Sequence, residues 1–100
     1  MKTTIQFIHM PTSEAMEAYV HKKLEKLYGK YEWIIKSDVC FKIENDPKGK
    51  GKICDMTLSL SGPKIYATSN EKNFELAFKE TLSDVEKQLK KRKKKMKPYN

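Results

Sequence analysis

The sequence predicts an α+β fold with the element order β-α-β-β-β-α, in which a four-stranded sheet carries two helices packed on one face. Apolar residues recur at helical spacing in two segments, residues 13–29 and 73–95. They alternate at strand spacing in residues 37–44 and 52–60. The chain has 100 residues, which suits one domain built around one modest core.

The N-terminal third predicts a strand followed by an amphipathic helix. Residues 2–8 are rich in Thr, Ile and Phe, and Pro11 stops the strand soon after them. Ser13 can cap the helix that follows, and Glu14 suits its first turn. Gly29 is predicted to end this helix. Its apolar side consists of Met16, Tyr19, Val20, Leu24 and Leu27.

The middle of the chain predicts an antiparallel meander that follows an apolar hinge at residues 33–35. Inward residues must lie opposite inward residues, and pairing Phe41 with Met56 satisfies this rule. That pairing centres the first turn at residues 48–49. A second tight turn at residues 62–63, Gly-Pro, pairs Leu60 with Ile65 and Leu58 with Ala67.

The last helix, predicted over residues 73–95, has an apolar stripe that stops before the helix does. The stripe consists of Phe74, Phe78, Leu82, Val85 and Leu89, with Ala77 and Thr81 at its edge. A helix of this length extends ~35 Å, whereas a seven-residue strand spans only ~23 Å. The last turns are therefore expected to overhang the sheet, and core packing gives no reason for residues 90–97.

Positive charge is concentrated at the C-terminal end. Residues 90–97 read KKRKKKMK and hold seven of the 21 Lys and Arg residues, which leaves fourteen against all thirteen acids in the first 89. On a helical wheel the second helix groups Lys72, Lys79, Lys87, Lys90 and Lys94 on one side. The first helix groups Lys22, Lys23, Lys26 and Lys30. Two basic sides above one sheet predict a polyanion partner, although a solvated tail or a sorting signal would give the same run of charge.

Other classes of function are poorly supported. Nothing in the sequence places a nucleophile or carboxylate beside His9 or His21, so no catalytic site is expected. Residues 46–51 lack the spacing of a phosphate-binding loop and read as a hairpin turn. Cys40 and Cys54 are expected on opposite faces of the sheet as reduced thiols, with no metal site, cofactor or small-molecule substrate. No segment is long and apolar enough to span a membrane and no leader is visible, so a cytoplasmic protein is expected.

Several short motifs occur in the order known from one protein family. TSEA opens the first helix at residues 12–15, KLEKL follows at residues 23–27, and the chain closes on AF at residues 77–78 and QLKKRKKK at residues 88–95. In these motifs and in element order the chain resembles the short form of the ribosome hibernation promoting factor family, also called ribosome-associated inhibitor or sigma-54 modulation protein. The resemblance covers essentially residues 2–97.

The resemblance implies a protein that sits between the head and body of the small ribosomal subunit. There it would occupy the mRNA and tRNA channel and silence translation in stationary phase or stress. Its partner would be ribosomal RNA, with ribosomal proteins as further candidates, and it would be a monomer off the ribosome. Residues 1–97 are expected to form the single ribosome-binding domain with an overhanging basic helix end, and residues 98–100 a short tail. The absence of a second domain groups the chain with the short forms.

The resemblance also assigns candidate RNA contacts by position. KLEKL contributes Lys23 and Lys26, and the closing helix contributes Lys87, Lys90, Lys91, Arg92 and Lys94. Charge grouping adds Lys22, Lys30 and Lys79. One departure concerns the second helix, where many relatives carry an aromatic followed by AAID and this chain reads ELAFK at residues 75–79.

Two other readings fit the same pattern. A generic structured-RNA-binding module, similar to a double-stranded-RNA domain, would share the sheet and helices without preferring the ribosome. A basic protein-interaction module would use the second helix to hold an acidic partner.

Overall fold

The computed structural model describes residues 2–96, which form a four-stranded sheet covered on one face by two helices. The strands lie in chain order; the first pairs with the second in parallel, and the other neighbours are antiparallel. The elements are β1 (Lys2–Phe7), α1 (Glu14–Lys30), β2 (Ile34–Ile43), β3 (Lys52–Leu60), β4 (Ile65–Glu71) and α2 (Phe74–Met96). The predicted α+β class and element order are confirmed. Lys97 and the predicted tail at 98–100 lie outside the described residues.

Helix α1 begins where the sequence predicts and ends later. The Ser13 Oγ accepts a hydrogen bond from the Met16 backbone N–H at 3.2 Å, which confirms the N-cap. The prediction that Gly29 ends the helix is wrong. The helix continues to Lys30, and the Tyr31 backbone N–H donates to the Leu27 carbonyl at 2.9 Å. Because Tyr31 is buried in the core, its side chain holds the end of the helix in place of a left-handed glycine.

Strand β2 begins three residues before the predicted strand. Residues 34 and 35 were predicted to lie in a hinge, but the ladder to β3 already includes Ile34. A register irregularity between Ile34 and Lys36 turns Ile34 into the core and leaves Ile35 61% exposed. Both residues are isoleucine, so the sequence shows no alternation of apolar and polar residues at this point, and periodicity could not predict which of the two faces the core.

Both hairpins differ from the predicted register by two residues. Phe41 lies opposite Cys54, and Met56 lies opposite Val39 on one side and Ala67 on the other. Leu58 pairs with Ile65, a position predicted for Leu60. A shift of two residues keeps every inward side chain inward, so alternation alone cannot detect it.

The turn at the first hairpin supplies the physical reason for the observed register. The Asp46 Oδ1 accepts from the Lys48 backbone N–H at 2.8 Å, and the Gly49 N–H donates to the Asp46 carbonyl at 3.1 Å. Asn70 on β4 holds the same loop, because its Oδ1 accepts from the Gly51 N–H at 2.7 Å. These bonds form a compact Asp-anchored turn, which centres the hairpin one residue earlier than the sequence predicted.

The two cysteines lie on opposite faces of the sheet, as predicted, and both are free thiols. Cys40 faces outward opposite Asp55, whereas Cys54 is fully buried beneath α2. Burial raises the pKa of the Cys54 thiol to about 12, so this thiol stays protonated and unreactive at neutral pH.

Helix α2 packs closely on β3 through small side chains. Ala77 and Thr81 were predicted at the edge of the apolar stripe, but both are fully buried at its centre. The Thr81 Oγ1 donates to the carbonyls of Ala77 at 2.9 Å and Cys54 at 3.2 Å. A bond from helix to strand backbone requires close approach, which small residues permit. The larger Phe74 and Leu82 are only partly buried.

Arg92 extends the contact of α2 with the sheet beyond Leu89. Its Nη2 donates to the Pro63 carbonyl at 2.9 Å, and its Nη1 lies 3.5 Å from the Ser61 carbonyl. The expectation that nothing structural follows Leu89 is therefore wrong for Arg92, which holds the turn between β3 and β4. The overhang predicted for the helix end begins after this residue, where Lys94 and the following residues to Met96 are exposed.

Replacing Arg92 with alanine is expected to lower the free energy of unfolding by about 1 kcal/mol, since two charge-assisted bonds to carbonyls are lost at a partly exposed site. The matched control is Lys91→Ala, which removes the same charge from an exposed neighbour and should change stability by less than about 0.5 kcal/mol. Urea unfolding followed by circular dichroism measures both. Equal losses in the two variants would contradict a structural role for Arg92.

The face of the sheet opposite the helices is polar, and two of its lysines are paired with aspartates. Lys36 lies 3.7 Å from Asp38, and Lys42 lies 3.4 Å from Asp55. Tyr66 points outward, as predicted, and its hydroxyl donates to Asp55 at 3.3 Å. These two pairs leave little excess positive charge at the centre of this face. Neither helix is long and apolar enough, within residues 2–96, to cross a membrane.

Candidate nucleic-acid interface

Two adjoining cavities lie between α1 and α2, and lysines line both. The larger has a volume of about 430 Å³ and the smaller about 140 Å³, and they share Lys23, Leu82 and Glu86. We call the combined feature the inter-helix groove. Its six lysines are Lys23, Lys26, Lys30, Lys79, Lys87 and Lys90, and its remaining lining residues are Tyr19, Leu27, Leu82, Ser83 and Glu86.

The groove follows from the spacing of the two helices' side chains. Each helix turns its apolar stripe to the sheet, so the residues flanking that stripe face the neighbouring helix. Tyr19 of α1 meets Phe78 of α2 edge to face, with ring centroids 5.8 Å apart, and this contact joins the helices at one end of the groove. Lysines whose spacing keeps them on one side of each helix then project from both helices into the same space.

The basic surface continues along α2 past the groove. A third cavity of about 390 Å³ is lined by Tyr31, Lys90, Lys93 and Lys94. The Lys93 Nζ lies 5.9 Å from the centre of the Tyr31 ring, within the range of a cation–π contact. Sequence reasoning missed Lys93, because its role depends on where the buried Tyr31 places its ring.

The structure brings together seven of the ten residues predicted as RNA contacts. Six line the inter-helix groove, and Lys94 lies in the cavity next to it. Lys91 and Arg92 lie on the other side of α2, beside Ile65 and Gln88. Lys22 is exposed on α1 but lines none of these cavities. Lys72, also grouped by the helical wheel, precedes the first residue of α2.

Six of the eight lysines that line the groove and the third cavity form no ion pair within residues 2–96. In the part of the chain that the structure describes, ion pairs involve Lys30 with Glu86 at 3.2 Å and Lys79 with Glu75 at 3.4 Å. No such pair involves the other six, which are Lys23, Lys26, Lys87, Lys90, Lys93 and Lys94. Lys23 instead lies over the Tyr19 ring, 5.6 Å from its centre. A surface with several free ammonium groups suits the phosphates of a nucleic acid.

A single carboxylate, that of Glu86, lies within the groove. Its Oε2 accepts from the Lys30 Nζ at 3.2 Å and from the Tyr31 hydroxyl at 3.3 Å. Burial, together with the nearby Glu86 charge, raises the pKa of the Tyr31 hydroxyl, which therefore remains a donor at neutral pH. Sequence reasoning missed Glu86, although on the helical wheel it lies about 20° from Lys79 and about 40° from Lys90.

The histidines and acids give no sign of catalytic or metal chemistry. His9 lies in the turn after β1 with a φ of 55°, and His21 is exposed on α1. Within residues 2–96, no three His, Cys, Asp or Glu side chains gather as a metal site.

Comparison with known proteins places the chain in a family. Residues 3–97 match the family described as Sigma 54 modulation protein / S30EA ribosomal protein. The chain belongs to this family. Members are ribosome-associated factors rather than enzymes, so both the resemblance drawn from the sequence and the expectation of no enzymatic activity are confirmed. Comparison with curated protein sequences finds no match.

Two solved structures share the fold of this chain. A ribosomal subunit interface protein from Coxiella burnetii is 25% identical with a TM-score of 0.82, and the match covers 93% of this chain and 98% of that one. The Protein Y N-terminal domain from Thermus thermophilus has the same fold at 19% identity and a TM-score of 0.73, covering 90% of this chain and 93% of that one. Both agree with a domain in which α1 and α2 share one face of the sheet.

Proposed function

We propose that this protein binds the small ribosomal subunit through ribosomal RNA and inhibits translation by occupying the mRNA and tRNA channel. It acts in the cytoplasm during stationary phase or stress, as a monomer when off the ribosome, and residues 1–97 are its ribosome-binding domain. Family membership supports association with the ribosome. The observation that supports the RNA-binding face is the cluster of unpaired lysines that line the inter-helix groove and the adjoining cavity.

The mechanism is electrostatic attachment followed by exclusion. Each ammonium that meets a phosphate releases condensed counterions, and this release drives binding without reading base sequence. A folded domain fixed in the channel then blocks the path of mRNA and tRNA by its volume alone. No chemical step is needed, which agrees with a site that holds lysines and aromatic rings.

The affinity for small subunits is expected to fall with salt at a slope of about −4 to −5 on logarithmic axes. The slope follows if the six unpaired lysines of the groove and the adjoining cavity each meet a phosphate, at ~0.7–0.9 per contact. Equilibrium binding of labelled protein to purified small subunits over a series of potassium chloride concentrations measures it. A slope near zero would show that binding does not depend on phosphate contacts.

Occupation of the channel is tested by competition on vacant small subunits. Excess protein is expected to displace both mRNA and initiator tRNA and to inhibit cell-free translation, whereas large subunits should bind it far more weakly. The same assay separates the alternatives, because a generic RNA binder would attach to both subunits and to free structured RNA alike. Simultaneous binding of protein, mRNA and initiator tRNA at full affinity would refute the proposal.

A further inference from the structure

The inter-helix groove contains an acceptor that a simple polyanion site would not need. Glu86 lines both cavities of the groove, among six lysines, and its side chain keeps 24% of its surface exposed. A carboxylate at this position repels phosphate, so it weakens any purely electrostatic attachment. A ligand that also has a hydrogen-bond donor beside its phosphate would offset this repulsion by donating a hydrogen bond to the carboxylate.

The hydrogen bonds of Glu86 leave part of its carboxylate available. Both bonds within residues 2–96, from Lys30 and Tyr31, go to Oε2. An ionised carboxylate has about four lone-pair sites on its two oxygens, so Oε1 retains acceptor capacity. The two existing partners hold the side chain in place, which gives the free oxygen a defined position.

The apolar part of the groove suits a sugar and base. Leu82 and the Tyr19 ring line the larger cavity, whose 430 Å³ lies within the range of small-ligand pockets. The Tyr19 hydroxyl is buried and has no hydrogen-bond partner in residues 2–96. A buried hydroxyl without a partner is costly, and a polar ligand atom entering the groove would satisfy it after a small rotation of the ring.

We infer that the inter-helix groove holds one nucleotide of an RNA strand, with its phosphates on Lys23, Lys87 and Lys90 and its ribose 2′-hydroxyl donating to Glu86 Oε1. The 2′-hydroxyl lies beside the 3′ phosphate of the same residue, and Glu86 lies one helical turn from Lys90. A strand whose phosphate meets Lys90 therefore brings a donor within reach of the carboxylate. The inference rests on the proposed function in taking RNA as the partner.

This arrangement makes Glu86 a residue that discriminates between polyanions. DNA presents the same phosphates without the 2′-hydroxyl, and inorganic polyphosphate presents no donor at neutral pH, so both meet only the repulsion. RNA compensates for that repulsion with a charge-assisted hydrogen bond. The groove should therefore prefer RNA by a margin that depends on this one carboxylate.

The test compares three probes on the full-length protein at fixed salt: a short single-stranded RNA, the DNA of the same sequence, and inorganic polyphosphate. The wild-type protein is expected to bind the RNA about tenfold more tightly than the DNA. In Glu86→Gln, DNA and polyphosphate should bind roughly five- to tenfold more tightly while RNA changes by less than about twofold, so the preference nearly disappears. If all three probes gain equally and the RNA-to-DNA ratio stays at the wild-type value, the inference is wrong.

Two further variants test whether the preference for RNA comes from the Glu86 carboxylate itself. The alternatives are a change in net charge and the loss of the ion pair between Lys30 of α1 and Glu86 of α2. Asp84→Asn removes one negative charge from α2 at a residue near Gln88 instead of the groove, and should leave the ratio unchanged. Lys30→Met breaks the ion pair of Glu86 but keeps its carboxylate, and should retain the preference for RNA. If Lys30→Met loses that preference as Glu86→Gln does, Glu86 acts through its ion pair with Lys30 and the inference is overturned.

Small-subunit binding, measured in parallel, distinguishes the two proposals. Wild-type protein that binds small subunits but shows no Glu86-dependent preference would overturn only the inference. Wild-type protein that shows the preference and fails to bind small subunits would overturn only the proposed function.

Discussion

Phe78→Ala is expected to lower the free energy of unfolding by about 3–5 kcal/mol, the largest loss from any single side chain of α2. Phe78 is fully buried, and its ring contacts those of Tyr19 and Phe41, at centroid distances of 5.8 and 6.5 Å. Loss of the Phe78 ring leaves a cavity at the point where α1, α2 and the sheet meet. A total stability of about 5–15 kcal/mol, normal for a domain, would be reduced by a large fraction.

Phe74→Ala is the matched control, because it removes the same atoms from a partly buried ring on the same helix. The Phe74 ring contacts Phe41 at a centroid distance of 5.5 Å but is open to solvent on its other side. Its loss should cost about 1–2 kcal/mol, since water can fill the space that it leaves. Urea unfolding measures the free energy of unfolding of both variants. Equal losses of this free energy would show that Phe78 is not the centre of the core.

Replacing Lys23, Lys87 and Lys90 together with glutamine is expected to weaken binding to the small subunit roughly hundredfold at about 0.1 M salt. The reason is counterion release, which contributes ~0.7–0.9 log units per phosphate contact at that concentration. The salt slope should fall by about two to three. The helices should stay folded, because all three side chains lie in the solvent-facing groove and none forms an ion pair within residues 2–96.

The control for this variant removes three lysines that lie away from the groove. Lys2, Lys48 and Lys64 are exposed on the first strand and on the two hairpin turns. Their replacement with glutamine changes the net charge by the same amount, so any effect of net charge alone would appear equally in both triple variants. Equal loss of affinity in the two would mean that attachment depends on overall charge and has no defined face.

Local sequence patterns predicted every helix and strand, but they could not predict strand register. The wheel positions of Val85 and Leu89 and the alternation around Met56 report which side of an element faces the core. They carry no information about a shift of one strand by two residues along its neighbour, because after such a shift every side chain still faces the same side of the sheet. Register was decided by the Asp46 turn and its bond network, which involve atoms distant in sequence.

Charge grouping predicted which lysines lie close together, but it could not predict the contacts that individual side chains make. Wheel geometry grouped Lys79, Lys87 and Lys90, and the structure places them in one groove. The same wheel contained Glu86, which an analysis of positive charge passes over. Arg92 stays a predicted RNA contact, but its bond to the turn between β3 and β4 was not predicted, because the position of that turn follows only from the folded sheet.

The paired charges on the open face of the sheet affect how fast the protein meets a polyanion. Lys36 and Lys42 are paired with aspartates, whereas most lysines of the inter-helix groove and the adjoining cavity are unpaired, so positive charge is concentrated on the helical side and gives the molecule an electrostatic asymmetry. In the field of an RNA surface this asymmetry acts as a torque that rotates the approaching molecule, helices first. Such steering raises association rates by about 10- to 1,000-fold at low ionic strength. A protein equally basic on all sides would collide as often but would more often arrive in the wrong orientation.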